Sequence, residues 1–314
     1  MPRMPQQFGF LCSTLDDPRR IELRQTEILT TFQQRGDSHD LIETAHDLTK
    51  IRRTDDSQVV DAVLLFQRPF MHSVQYTHDR DYPLQPTIRL PKPKIPDRSF
   101  GELIRGRRSA RDFGCDPLGL PQLSSLLYGA MGETGHMVTD DDRGQPVSIS
   151  LRTIPSGGAL QPTGIFAIIL QRGVIAQGLY HYDVPEHSLE FVKPLGDLQP
   201  EKLFARFPNS PGEVAVRRAS VIFFIASKFW RARAKYGPRG YRYCLQEAGC
   251  ACQNLGLMAH ALGLAHVVIG GFYDDEVHAF LGIDGVEHAV ITAVAVGTLP
   301  KKRTRGGRHA TVST

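Results

Sequence analysis

The chain has 314 residues, of which 41% are hydrophobic and 22% charged, a soluble globular composition with room for one large domain or two modest ones. Its net charge of +4 is small, part of it sits in the tail Lys301-Lys302-Arg303-Thr304-Arg305, and no basic stripe interleaves with aromatics, so a nucleic-acid binder is not expected. No apolar run approaches the ~20 residues that span a bilayer, and residues 8–12 are too short for a signal-peptide core, so a cytoplasmic protein is expected.

Taken in chain order, residues 21–34 and 39–50 are predicted to be amphipathic helices, the second with Leu41, Ile42, Ala45 and Leu48 at helical spacing. Pro91, Pro93 and Pro96 make 90–96 an extended, stiff connector, because proline neither donates to a ladder nor sits inside a helix. Helices are predicted over 100–108 and 121–130, with Pro121 in a first turn where its missing N–H costs nothing. Residues 135–147 are polar and predicted to form a mobile loop. Strands are predicted over 164–171, 179–183, 189–192, 221–227, 265–269 and 289–298. The longest helix is predicted over 241–262, where Ala, Gly and Cys permit close packing, and Asp274 is placed to cap a helix over 275–281. The mixed order of elements points to an α+β fold rather than regular βαβ alternation. Neither a G-x-G-x-x-G after a strand nor a P-loop occurs.

Four short motifs carry the candidate chemistry. Arg107-Arg108-Ser109-Ala110-Arg111 offers guanidinium forks and a hydroxyl for a phosphate, or simply a solvated basic helix end. Pro155-Ser156-Gly157-Gly158 lets backbone approach a ligand, or makes a plain turn; Gln161 follows, with an amide that suits a heterocycle edge. Gly270-Gly271-Phe272 ends a strand with N–H groups that either face a ring or only turn the chain. Lys235-Tyr236-Gly237 sets an amine beside a phenol, with Arg231, Arg233 and Arg239 expected to depress the lysine pKa; the alternative is a solvated basic loop. The odd number of cysteines and the absence of C-x-x-C speak against disulfides and zinc, and Cys244, Cys250 and Cys252 read as inert thiols. The histidines have no metal-ligand spacing, so no metal site is expected, and no nucleophile elbow occurs.

As a set these residues resemble the FMN-dependent nitroreductase superfamily, over about residues 97–303. Pro155-Ser156-Gly157-Gly158-Ala159-Leu160, Gly178-Leu179-Tyr180-His181-Tyr182-Asp183, Lys235-Tyr236-Gly237, Glu247-Ala248-Gly249, Gln253-Asn254-Leu255 and Gly270-Gly271-Phe272 resemble its SagB-type azoline dehydrogenase branch. The resemblance implies a mainly antiparallel sheet flanked by helices in an intertwined homodimer, with FMN at the interface and 241–262 as the central dimer helix. It divides the chain into a helical or extended region over 1–95 for docking or dimer wrapping, an FMN-binding domain over 96–305 and a loose tail over 306–314.

The same resemblance gives residue roles. Arg107, Arg108, Ser109 and Arg111, with Lys302 and Arg303, hold the phosphate and ribityl end. Pro155, Ser156, Gly157 and Gly158, with Gln161, approach the flavin from the partner subunit. Gly270 and Gly271 present N–H groups to the ring, and Lys235 with Tyr236 is the catalytic pair. The implied reaction oxidises thiazolines or oxazolines to azoles on peptide or carrier-protein substrates. A base takes the Cα proton, hydride leaves for flavin N5, and oxygen is the final acceptor. A cyclodehydratase or a peptide synthetase is the implied partner. Two other functions suit the same fold: an NAD(P)H-dependent nitro- or quinone reductase, and a flavin-bearing subunit that mainly docks partner enzymes.

Overall fold

A computed structural model describes residues 10–12, 21–23, 39–51, 82–140, 144–205 and 213–300. The chain divides into two compact units, Met1–Arg52 and Arg53–Thr314. In the first, β1 (Phe10–Cys12) pairs antiparallel with β2 (Ile21–Leu23), and α1 spans His39–Leu48, as its helical spacing predicts. The helix predicted over 21–34 begins instead with β2; the alternation Ile21-Glu22-Leu23 suits a strand as well as a helix, and residues 24–34 lie outside the described ones.

The second unit starts its described part at residue 82. β3 (Thr87–Arg89) is the edge strand of the main sheet, so residues 87–95, which the sequence groups with the N-terminal region, belong with the sheet domain. The connector after it is extended and fastened by side chains. Ser125 Oγ donates to Lys94 O (2.8 Å) and accepts from Lys94 N–H (3.1 Å), while Ser124 Oγ donates to Pro91 O. Helix α2 (Phe100–Gly106) is capped by Ser99, whose Oγ accepts from Glu102 N–H at 3.2 Å. Helix α3 (Leu120–Met131) has Pro121 in its first turn, as predicted.

Next comes a departure from the predicted loop over 135–147. β4 (Glu133–Asp140) and β5 (Pro146–Arg152) form an antiparallel ribbon of their own. Nearly all its side chains are exposed or half-buried, so no apolar face marks it in the sequence; cross-strand backbone pairing alone defines it.

The main sheet adds β6 (Thr163–Ile169), β7 (Gly178–Asp183), β8 (Ser188–Lys193), β9 (Val221–Lys228), β10 (Ala265–Ile269) and β11 (His288–Gly297). Its order is β10–β11–β9–β6–β7–β8–β3, and each pairing is antiparallel. The central strands read as unbroken apolar runs because both faces are covered. Along β9, Val221, Phe223 and Ile225 face the helices, while Ile222, Phe224 and Ala226 join a second cluster with Phe113, Phe204 and Phe272. Full burial of Phe223 or Phe224 contributes about 1.5–3 kcal/mol relative to leaving it exposed.

Three further helices lie among the described residues of this unit. α4 (Phe229–Tyr236) follows β9 directly, and the 22-residue α5 (Gly240–Ala261) crosses the first cluster with Ala248, Ala251, Leu255 and Ala259 buried. These small side chains let α5 lie close to α3 and the sheet. α6 (Asp274–Leu281) includes Asp274 in its first turn; Tyr273 is its N-cap, without a side-chain bond, so Asp274 serves the helix dipole rather than the cap position predicted for it.

Candidate active site

The Lys235–Tyr236 pair ends α4, where Gly237 turns the chain at φ 54°. The alternative reading, a solvated basic loop, gives way to the last turn of a helix. Lys235 Nζ sits 5.7 Å from the centre of the Tyr236 ring, and that ring meets Tyr243 of α5 edge-on at 4.8 Å. Burial lowers the Lys235 pKa from the ordinary lysine value. The expected cause, crowding by neighbouring arginines, is not the operative one. Arg231 Nε donates to Leu160 O at 2.9 Å and Arg233 pairs with Glu287 at 2.8 Å, so both guanidiniums are directed elsewhere. Burial, and then Tyr243, raise the Tyr236 phenol.

Against this pair lies the second motif. Gly158 adopts φ 61°, and a Cβ added there would stand 2.6 Å from the Tyr236 hydroxyl and 3.0 Å from Lys235 Nζ. Gly157 faces the Tyr243 and Tyr236 rings in the same way. Two glycine motifs that read equally as plain turns thus separate: this one is packed against titratable side chains 77 residues further on in the sequence (235 − 158). Gln161 is tied to its own loop, its backbone N–H donating to Ser156 Oγ at 2.8 Å and its side-chain Nε2 to Ser150 O, so the amide is not directed at a ligand edge. Pro155 is exposed.

Behind the loop stands a residue to which the sequence assigns no role. Ser156 Oγ donates to Glu247 Oε1 at 2.6 Å, and Glu247 is only 4% exposed. Burial raises the Glu247 carboxyl, opposed by hydrogen bonds from Ser156, Thr163 and the Gly157 N–H and by the charge of Arg152. Arg152 is itself enclosed; burial brings it down to about 10, and its Nη1 donates to Thr163 O at 3.2 Å. An acid among the small apolar residues Cys244, Ala248 and Ala251 is the signal that marks this position. Cys244 beside it is an inert thiol, pushed up to about 12 by burial and then by Glu247.

The first motif builds a different place. Arg107 ends α2 half-buried, with its Cδ 3.8 Å from where a Cβ at Gly256 would lie. Arg108 Nη1 donates to Arg105 O and Arg107 O, closing the helix end, and Ser109 and Arg111 are exposed. Ala110 N–H donates to His266 O at 2.8 Å, which lays the motif along β10, the strand that runs out into Gly270 and Gly271. Gly270 is exposed, and Gly271 O accepts from Ala205 N–H at 3.0 Å. Lys302 and Arg303 lie outside the described residues.

The surroundings of Arg107 are electropositive. His266, 2% exposed, is lowered to about 4 by burial first and then by Arg107 and His260. Burial raises the Cys252 thiol and Arg107 draws it back. The depressed His266 pKa makes a stability prediction. The folded protein binds this proton less readily than the unfolded chain, so the contribution of neutral His266 is complete above pH ~6.5 and lost as pH falls through about 4. Urea unfolding at pH 7 and pH 4 should differ by about 3 kcal/mol more in the wild type than in His266→Gln.

Contacts thus join the first motif to the fourth through β10, and the second directly to the third. Helix α5 stands between these pairs. Glu247, bonded to Ser156, and Gly256, beside Arg107, are nine residues apart. That is about two and a half helical turns, so they lie on opposite sides of α5 and about 14 Å apart along its axis. Asn254, seven residues after Glu247 and on its side, donates to Thr153 O at 3.3 Å, which agrees with this division.

One further cluster imitates a nucleophile. Ser124 Oγ is 2.8 Å from His187 Nε2, and Tyr182 Oη is 2.8 Å from His187 Nδ1. Ser124 is fully buried and its hydroxyl is directed to Pro91 O, so the chain of bonds anchors the connector. Among the described residues no helix is long and apolar enough to cross a membrane.

A family model described as "Nitroreductase family" matches residues 104–298. The chain is 32% identical over 197 residues to "Putative nitroreductase MJ1384" of Methanocaldococcus jannaschii, covering 63% of this chain and 91% of that protein. It is 30% identical over 138 residues to the microcin B17-processing protein McbC of Escherichia coli, covering 42% of this chain and 49% of that relative, about half its length. A crystal structure from Anabaena variabilis described as a "putative nitroreductase" shares the fold, with a TM-score of 0.59 and 19% identity over 81% of this chain and 45% of that one.

Proposed function

The chain belongs to the nitroreductase family, and within it we propose an FMN-dependent dehydrogenase that oxidises thiazoline or oxazoline rings to azoles on peptide or carrier-protein substrates. The observation that carries this reading is the Lys235–Tyr236 pair, half-buried at the end of α4 and packed against Gly158. A reductase fed by NAD(P)H needs no base for a carbon acid; an azoline dehydrogenase does. The similarity to a microcin-processing protein supports a peptide substrate.

The residues fit FMN in charge. After burial, the first charge that depresses His266 is the Arg107 guanidinium, a cation of the kind a phosphate site requires. Arg107, Arg108, Ser109 and Arg111, with Lys302 and Arg303, would hold the phosphate and ribityl end, and Gly270 and Gly271 would offer N–H groups to the ring. Pro155, Ser156, Gly157 and Gly158 would meet the ring from a second copy of the chain, since in one copy they lie across α5 from Arg107. The working unit is then a homodimer with two sites.

When bound, FMN supplies the two-electron acceptor. Lys235 takes the proton from the azoline Cα: its lowered pKa leaves more free amine near neutral pH than an ordinary lysine has. Tyr236, whose raised pKa keeps it a phenol, donates a hydrogen bond to the heteroatom side of the ring. Within the 1–95 region, the part that precedes β3 docks a cyclodehydratase or peptide-synthetase partner.

The test is an anaerobic titration of the purified yellow protein with a thiazoline-bearing peptide, without other reductant. Bleaching at the flavin band, with a product lighter by two hydrogens, is expected. Bleaching by NAD(P)H alone would make the protein a reductase.

A further inference from the structure

The loop that leaves the second motif is unusually strained. Gly158, Ala159 and Gln161 all have positive φ, of 61°, 54° and 49°. Two of them are not glycine, and such angles persist only where surrounding bonds over-determine them. Those bonds converge from behind. Glu247 accepts from Ser156 Oγ at 2.6 Å and is also bonded by Thr163 and the Gly157 N–H, and Ser156 Oγ in turn accepts from Gln161 N–H at 2.8 Å. Arg231 Nε holds Leu160 O at 2.9 Å, and Arg152 Nη1 holds Thr163 O at 3.2 Å beside Glu247.

We propose that Glu247 is a positioning residue: from inside α5 it clamps the strained loop 156–161, so that Gly158 fixes Lys235 Nζ and Tyr236 Oη in one arrangement. The inference rests on the dehydrogenase reading for the role of Lys235, and not for the clamp itself. Glu247 acts through other residues and touches no reacting atom. Its carboxylate is specifically needed, because it accepts from several donors at once. A glutamine can accept at its oxygen only, and its NH₂ opposes the remaining N–H and O–H donors and leaves Arg152 without its counter-charge.

The experiment compares full-length, FMN-loaded wild type with Glu247→Gln. Amide hydrogen exchange of 156–161 should quicken at least about tenfold while β6 and β9 stay protected. With the thiazoline peptide, kcat should fall about 10²-fold and KM should change little, the result of misplacing a reacting group rather than of weakened binding. The double variant Lys235→Ala/Glu247→Gln should be no slower than Lys235→Ala, because there is no longer an amine to position. Unchanged exchange with unchanged kcat overturns the proposal, and so does a double variant in which the two losses multiply. If Glu247→Gln fails to fold, Ser156→Ala, which removes one bond and leaves the Glu247–Arg152 charges intact, must open the same loop or the clamp is refuted. A wild type inert toward the thiazoline would refute the dehydrogenase reading, and the exchange result would still decide the clamp.

Discussion

Lys235→Ala should remain yellow, keep its FMN stoichiometry and lose about 10²- to 10⁴-fold in azoline turnover, the range that a positioned general base contributes. The amine is the better proton acceptor of the pair for a physical reason. Burial acts on both groups but in opposite directions, disfavouring the lysine's ammonium and the tyrosine's phenolate. Both shifts favour the neutral forms, which gives a free amine that can take a proton and a phenol that can donate a hydrogen bond. The wild-type kcat should rise with pH through a midpoint below the ordinary lysine value of 10.5, and Lys235→Ala should lack that limb. Stopped-flow absorbance at the flavin band, read across pH, measures both. Full activity in a yellow Lys235→Ala protein would remove the lysine from the mechanism.

Gly158→Ala should be nearly as damaging, although it adds one methyl group. That methyl would lie 2.6 Å from the Tyr236 hydroxyl, closer than such contacts allow, and 3.0 Å from Lys235 Nζ, a tight contact, so the hydroxyl must move and the amine must give way with it. Displacement by an ångström of a reacting group costs about 10²-fold in rate. The positive φ of 61° adds a backbone penalty of roughly 1–2 kcal/mol for any L side chain. Gly144→Ala is the control: its φ is 70°, yet nothing lies within 4 Å of the added Cβ. Both variants should lose comparable stability in a thermal melt, but only Gly158→Ala should lose turnover. Equal activities would mean that the loop does not set the geometry of the pair.

Most of the strands were legible because their side chains report burial directly. Residues 221–227 and 289–298 are apolar at nearly every position, and both are strands covered on two faces. α5 was legible from its small residues. The β4–β5 ribbon was not, since nearly all its side chains are exposed or half-buried and its pairing is made by backbone. β2 was misread because three residues cannot separate a period of two from one of 3.6.

At the site, the chemical groups available can be read along the chain: arginines for an anion, paired glycines where backbone comes close, an amine next to a phenol, and a set of motifs that resemble one family. Each is a local property, carried by neighbouring residues. How they combine is set by the fold. It packed Gly158 on Lys235, turned Gln161 back onto its own loop, and set Glu247 behind Ser156, 91 residues away. It also divided the four motifs between two sides of α5. Burial and long-range hydrogen bonding make those decisions, and they depend on which segments the fold brings together, a relation that spacing along the chain does not encode.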